Sequence, residues 1–306
     1  MSAGHDHSHG VTAGGRHRWR LGVTVAITGA VFVAQLIGGL VSGSLALLAD
    51  AGHMLTDSTG LIIALIATAL AARPATTRRT FGLQRVEVLA AMINGFLLVA
   101  IGVWVLVLAI GRWNAPTEIH SGLMLVVAVG GAVANVVGLM ILRGGATESL
   151  NLRGAYLEVL GDLLGSVAVI VAAIVIAVTG YTRVDSIASL VIFVLIMPRA
   201  WSLLRDVVDV LLESTPKGVD LDEVRGHICD LPGVVDVHDL HAWTVTSGVP
   251  VLSAHVVVNA DTTARGRSGE VLDELGKCLG EHFDVAHCTF QLEPEGHQQH
   301  ESAHHH

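Results

Sequence analysis

Residues 44–57 read SLALLADAGHMLTD and residues 151–166 read NLRGAYLEVLGDLLGS. Each is an apolar stretch interrupted by ionisable side chains at helical spacing: Asp50, His53 and Asp57 in the first, Glu158 and Asp162 in the second. Offsets of three and four residues put each set on one face of a helix. An ionisable side chain in mid-membrane costs about 2.5–3.5 kcal/mol on insertion scales, so each one calls for a partner or a purpose. A ligand at i and a carboxylate at i+4 on each of two facing helices give four donors from rigid elements, which suits a tetrahedral divalent cation. The rival reading is interhelical hydrogen bonding, and for an isolated Asp it would win. A matched pair on two separate helices favours a metal or proton site instead. Asp50, one turn away, stands between helix packing and proton handling.

The surroundings of these two stretches are those of a membrane protein. The 306 residues are 52% hydrophobic and 15% charged, with a mean hydropathy of +0.61, outside the range of soluble globular chains. Six runs of roughly twenty residues are long enough to cross a bilayer, near 20–42, 44–72, 86–111, 119–142, 154–180 and 184–205. Gly161 and Gly165 in the fifth, with Gly52 and Gly60 in the second, leave room for close helix approach. A net charge of −9 with no basic stripe argues against nucleic acid. Residues 1–212 carry 13 Arg and 11 acids, net +2, whereas residues 213–306 carry 5 basic residues and 16 acids, net −11. The chain therefore divides into a His-rich disordered tail (1–19), a transmembrane six-helix bundle (20–212), a soluble acidic domain (213–293) and a second His-rich tail (294–306).

Arginine distribution predicts the topology. Arg16, Arg18, Arg20, Arg73, Arg78, Arg79, Arg85, Arg143 and Arg153 lie on one side, and only Arg112 and Arg183 on the other. Both termini then face the cytoplasm of a cell membrane, and Trp19, Trp113 and Trp201 fall at span ends as interfacial anchors. The arginines of the 73–85 loop read as contacts to anionic lipid. In the soluble part, periodicity predicts helices over 219–230 and 267–282 and strands over 234–245, 250–258 and 284–293. This αββαβ order predicts an α+β ferredoxin-like domain. Cys229, Cys278 and Cys288 form no CxxC and fit a reduced compartment. His238, His241, His255 and His287, with Cys288 and Glu293 nearby, are more polar ligands than a small sheet needs for stability.

With FGLQRVEVLAA at 81–91 and HDLHAWTV at 238–245, the two opening motifs resemble the cation diffusion facilitator family, its zinc-type branch above all. The resemblance covers residues 20–293. It implies a homodimeric antiporter that moves a divalent metal outward in exchange for protons, with no catalytic cofactor. It implies His53, Asp57, Glu158 and Asp162 as the transport site, and Zn2+ as the leading cargo and possible regulatory ligand. In the soluble domain it points to His238 and His255, then more weakly to His241, His287 and Glu293, as regulatory metal ligands. One position departs from the pattern: zinc-type members carry HxxxD in both spans, whereas the second motif here begins with Glu158. The expected donor set is one imidazole and three carboxylates, formally −3 empty and −1 with a divalent ion. Harder oxygen ligands relax the preference for zinc over Mn, Fe or Co, and a Mn, Fe, Co or Cd exporter of the same family is the alternative. Asp50 and Glu158 are the candidates for carrying the coupled proton. An intramembrane metalloenzyme is the less suitable alternative, since no HExxH occurs and four protein ligands would fill the shell. A membrane-anchored metal sensor would have no need of the intramembrane pair.

Overall fold

The computed structural model describes residues 18–115, 117–143, 150–246, 248–283, 285 and 287–300. Residues 1–17 with Arg16, residues 301–306 with the terminal histidines, and the side chains of Arg18, Trp19 and Arg20 fall outside the description. Six long helices come first: α1 (Arg18–Ser42), α2 (Leu45–Ala71), α3 (Val86–Asn114), α4 (Ser121–Arg143), α5 (Leu150–Thr179) and α6 (Arg183–Leu211). All six are long and apolar enough to cross a membrane. The sixth runs six residues past its predicted end at 205, because RDVVDVL continues the helical pattern beyond the apolar run.

Packing divides the chain into two compact units, Met1–Ile62 with Asn94–Ser202 and Ile63–Ile93 with Leu203–His306. The division cuts α2, α3 and α6 and does not fall at the end of the sixth helix.

In the first unit, α4 is the helix on which α1 and α5 pack. Its buried stripe, Met124, Ala128, Gly131, Asn135, Gly138 and Leu142, repeats at three and four residues. Small residues permit the close approach: a β-carbon on Gly38 would lie 2.7 Å from Val127, and one on Gly138 would lie 3.3 Å from Val159. Of the glycines expected to bring α2 and α5 together, Gly165 does so, lying against Asp50. Gly52 and Gly60 instead face Ile101 and Asn94 of α3, and no atom lies within 4 Å of a β-carbon on Gly161.

The turn between α1 and α2 is tied to α6 by a buried carboxylate. Asp185 accepts hydrogen bonds from Ser44 Oγ at 2.6 Å and from the backbone N–H groups of Leu45 at 2.7 Å and Ala46 at 3.2 Å. A side chain from another helix thus caps α2, satisfying N–H groups that have no partner within the helix. Arg112 completes the cluster, 3.7 Å from Asp185 and donating to the carbonyl of Gly43 at 2.6 Å. Arg183 lies over the Trp113 ring, 5.9 Å from its centroid. Both arginines on the poorer side of the predicted topology are therefore engaged within the protein.

The second unit contains α7 (Leu221–Cys229), β1 (Val234–Thr244), β2 (Pro250–Val258), α8 (Ala260–Ala264), α9 (Ser268–Phe283), β3 (His287–Pro294) and a 3-10 turn at His297–His300. The predicted αββαβ order holds, with the five-residue α8 added, started by Asn259, whose side chain accepts from Thr262 N. The sheet order is β1-β2-β3, antiparallel between the first two and parallel between the last two, so α9 is the crossover of a β-α-β unit. Val237, Leu252, Ala254, Val256, Leu275 and Leu279 belong to one buried core with Val224 and Ile228 of α7. The expected lipid contacts of the 73–85 loop are partly replaced by protein contacts. Arg85 pairs with Glu213 at 2.9 Å, Phe81 packs edge-on against His287, and Thr246 donates to Glu87 at 2.9 Å.

Asp185→Ala is expected to destabilise the protein by about 2 kcal/mol or more, since it uncaps α2 and strips Arg112 of its carboxylate. The measurement is thermal unfolding of the detergent-solubilised full chain; an unchanged midpoint would contradict the cap.

Candidate metal centres

The first centre lies between α2 and α5. His53 and Asp57 occupy successive turns of α2, and Nε2 of His53 lies 3.5 Å from Oδ2 of Asp57. Across the helix interface the same nitrogen is 4.0 Å from Oδ1 of Asp162. Asp162 is 3% exposed. His53 Nδ1 and Asp162 Oδ1 are buried without a hydrogen-bond partner among the described residues. Buried polar atoms are seldom left so, and a ligand is one of the usual reasons. Three members of the expected quartet thus meet around one imidazole.

Glu158, one turn before Asp162, stands at the rim, its side chain 39% exposed. Its partner comes from a third helix, unnoticed in the sequence: Arg199 of α6 places Nη2 3.9 Å from Glu158 Oε2 and Nη1 3.5 Å from Asp57 Oδ2. The arginine follows Pro198, which lies inside α6 and cannot donate to the carbonyl one turn back. Arg199 sat in a predicted span without an i+4 partner, and nothing in the spacing marked it. A crevice of about 190 Å³ opens here, lined by Asp50, His53, Glu158, Gly161 and Arg199 among others.

Asp50 is fully enclosed beyond His53 and accepts a 2.6 Å hydrogen bond from Nε2 of Gln35 on α1. The other Gln35 side-chain atom, Oε1, is buried without a partner among the described residues. Asp50 therefore belongs to a polar layer behind the quartet, shared between α1, α2 and α5.

The second centre follows from strand alternation. Leu252, Ala254 and Val256 of β2 face the helical core, so Ser253 and His255 point to the opposite face. Val237 likewise faces the core and His238 the other side. His238 and His255 are register partners across β1 and β2, and their rings meet edge to face with centroids 5.1 Å apart. On β3 the same alternation brings Glu293 beneath them. It lies 3.1 Å from His238 Nε2 and 2.8 Å from His255 Nδ1, and is 1% exposed. Ligand atoms of these three residues all lie within 4.8 Å of one another, a donor set that fits a borderline or hard divalent ion. The β1 register shifts between His238 and His241, where Asp239 takes a left-handed backbone (φ 49°). That bulge aims Asp239 at His241, 2.9 Å away, and at His255, 3.8 Å away.

His287 does not join this group. It starts β3, six residues before Glu293, about 20 Å along a strand, and packs on Phe81. Cys288 faces the core, where it donates to the carbonyl of Val285 at 3.3 Å, and burial pushes its thiol pKa up, away from the thiolate a metal needs. A cavity of about 1020 Å³ is lined by Arg78, Arg79, Arg85 and His241 among others, and by none of His238, His255 and Glu293.

Residues 21–212 match the family described as the cation efflux transmembrane domain, and residues 216–295 that described as the cation efflux protein cytoplasmic domain. The chain is 45% identical over 305 residues to the metal cation efflux system protein CzcD of Cupriavidus metallidurans, covering 100% of this chain and 94% of that protein. It is 39% identical over 295 residues to the zinc transporter ZitB of Escherichia coli, covering 96% and 93%. It is 38% identical over 296 residues to the cadmium, cobalt and zinc/H(+)-K(+) antiporter of Bacillus velezensis, again covering 96% and 93%. These matches run through both the helical and the soluble parts. The chain belongs to the cation efflux, or cation diffusion facilitator, family: it is an integral membrane protein and a metal cation efflux transporter rather than an enzyme.

Proposed function

We propose that the chain exports Zn2+ from the cytoplasm in exchange for protons by alternating access, with His53, Asp57, Glu158 and Asp162 as the transport ligands. The observation that carries this reading is the approach of Asp57 and Asp162, from two membrane helices, to within 4.0 Å of His53 Nε2, with His53 Nδ1 and Asp162 Oδ1 buried without a hydrogen-bond partner among the described residues. Two of the relatives named above are described as acting on zinc, one as an antiporter that also moves cadmium and cobalt. Metal and protons compete for the same lone pairs: a ligand carboxylate that gives up its cation takes a proton in its place, the task assigned to Glu158, with Asp50 in the layer behind as the second proton carrier. Exchange across a single site is then enough to couple the two fluxes. Zinc leads because one imidazole remains and zinc stands above Mn, Fe and Co in intrinsic affinity. The cadmium, cobalt and zinc antiporter among the relatives makes Cd and Co the nearest alternatives.

The chain works as a homodimer with both termini cytoplasmic, a reading supported by the match to the cation efflux cytoplasmic domain and by the arginine distribution. His238, His255 and Glu293 form the regulatory site, while His287 stays outside it. Two acidic soluble domains repel each other, and bound cations there lower that repulsion.

Asp162→Ala is expected to abolish zinc uptake into everted vesicles, at least a hundredfold, whereas Glu158→His retains uptake and raises the preference for zinc over cadmium and cobalt. Undiminished transport by Asp162→Ala would rule out this site. Separately, Glu293→Ala is expected to remove zinc binding by the soluble domain and leave transport at saturating zinc within about threefold of the parent. Isothermal titration of the full chain beside the vesicle assay tests it; unaltered stoichiometry would contradict the assignment.

A further inference from the structure

The site just proposed has an internal cation. Two imidazoles and two aspartates, the family's zinc-type pattern, carry a formal charge of −2, which a divalent metal neutralises. Here Glu158 takes the place of one imidazole and brings the carboxylates to −3. Arg199 adds +1 from α6, at 3.5 Å from Asp57 and 3.9 Å from Glu158, and returns the empty site to −2. The added carboxylate and the added guanidinium face each other across the crevice that leads to His53.

Resting on that transport-site reading, we propose that Arg199 is a specificity- and release-determining residue: a tethered counter-cation that holds Asp57 and Glu158 while the site is empty, and that an arriving metal displaces. Two of the three ligand carboxylates are engaged by the guanidinium, so metal binding exchanges one cation for another instead of filling an uncompensated acidic pocket. The like-charge repulsion between guanidinium and metal weakens the hold on the cargo, and return of the guanidinium to its carboxylates assists departure. A −3 site without it would bind divalent ions more tightly and release them more slowly. Arg199 is half exposed, at 52%, which gives the side chain room to move off the carboxylates without a change in helix packing.

The test uses the full chain in a His238→Ala background, so that zinc bound by the soluble domain does not mask the membrane site. Zinc affinity is measured in detergent and turnover in proteoliposomes with an imposed pH difference. Arg199→Gln is expected to tighten zinc binding at least tenfold and to lower kcat at least threefold, so that KM and kcat fall together. Arg199→Lys, which keeps the charge, is expected to stay within about threefold of the parent in both. Arg199→Met, with a similar apolar stem and no charge, is run beside Arg199→Gln so that a folding defect peculiar to one side chain does not decide the result. Unchanged or weaker zinc binding in the neutral variants, or a lysine variant that behaves like glutamine, would overturn the proposal. Asp162→Ala separates the two levels. If it binds zinc like the parent, the transport-site reading itself has failed; if it loses zinc while the neutral variants bind like the parent, only the role of Arg199 has failed.

Discussion

Carboxylates placed in a hydrocarbon layer need a cation, and the arrangement of α2, α5 and α6 can be understood from how that need is met. A lone Asp or Glu at membrane depth costs several kcal/mol, yet Asp50, Asp57, Glu158 and Asp162 lie on two neighbouring helices. Each has a distinct solution. Asp50 accepts from Gln35, Asp57 and Glu158 face Arg199, and Asp162 retains a buried oxygen without a partner beside His53. The last of these is the demand left unmet among the described residues, and in the proposed transport site a divalent cargo meets it.

The rest of the first unit serves to keep those groups in register. Gly165 lets α5 approach Asp50, and the small residues of α4 hold α1 and α5 on either side. At the α1–α2 turn, Asp185 fixes the first turn of α2 from α6, the helix that also carries Arg199. One helix therefore contributes both the cap that positions the His53 helix and the cation that neutralises its aspartate. Such a link lets the position of α6 bear on both, since a shift in α6 changes the cap and the counter-charge together.

Much of this was legible from the chain and some was not, for physical reasons. The quartet could be read because its members are paired at i and i+4, the spacing that a helix turns into adjacency. The soluble fold could be read because strand and helix periods differ. Arg199 was missed because its partners are contributed by two other helices, and tertiary pairing leaves no trace in local spacing. Glu293, placed with His241 and His287 among the weaker candidates, is the residue that joins His238 and His255. Parallel pairing of β3 with β2 decides that, and its register cannot be inferred from β3 alone. Gly52 and Gly60 illustrate the same limit: small residues announce a close contact without saying with which helix.

The most direct test of the central claim is anomalous diffraction at the zinc edge from crystals of the full chain grown with zinc. A strong peak between α2 and α5, beside the one at His238, His255 and Glu293, about 2.0–2.2 Å from the His53 nitrogen and from carboxylate oxygens of Asp57, Glu158 and Asp162, with the Arg199 guanidinium withdrawn, is the expected result. Zinc found in the soluble domain alone, with His53 and Asp162 still facing each other unligated, would contradict the account.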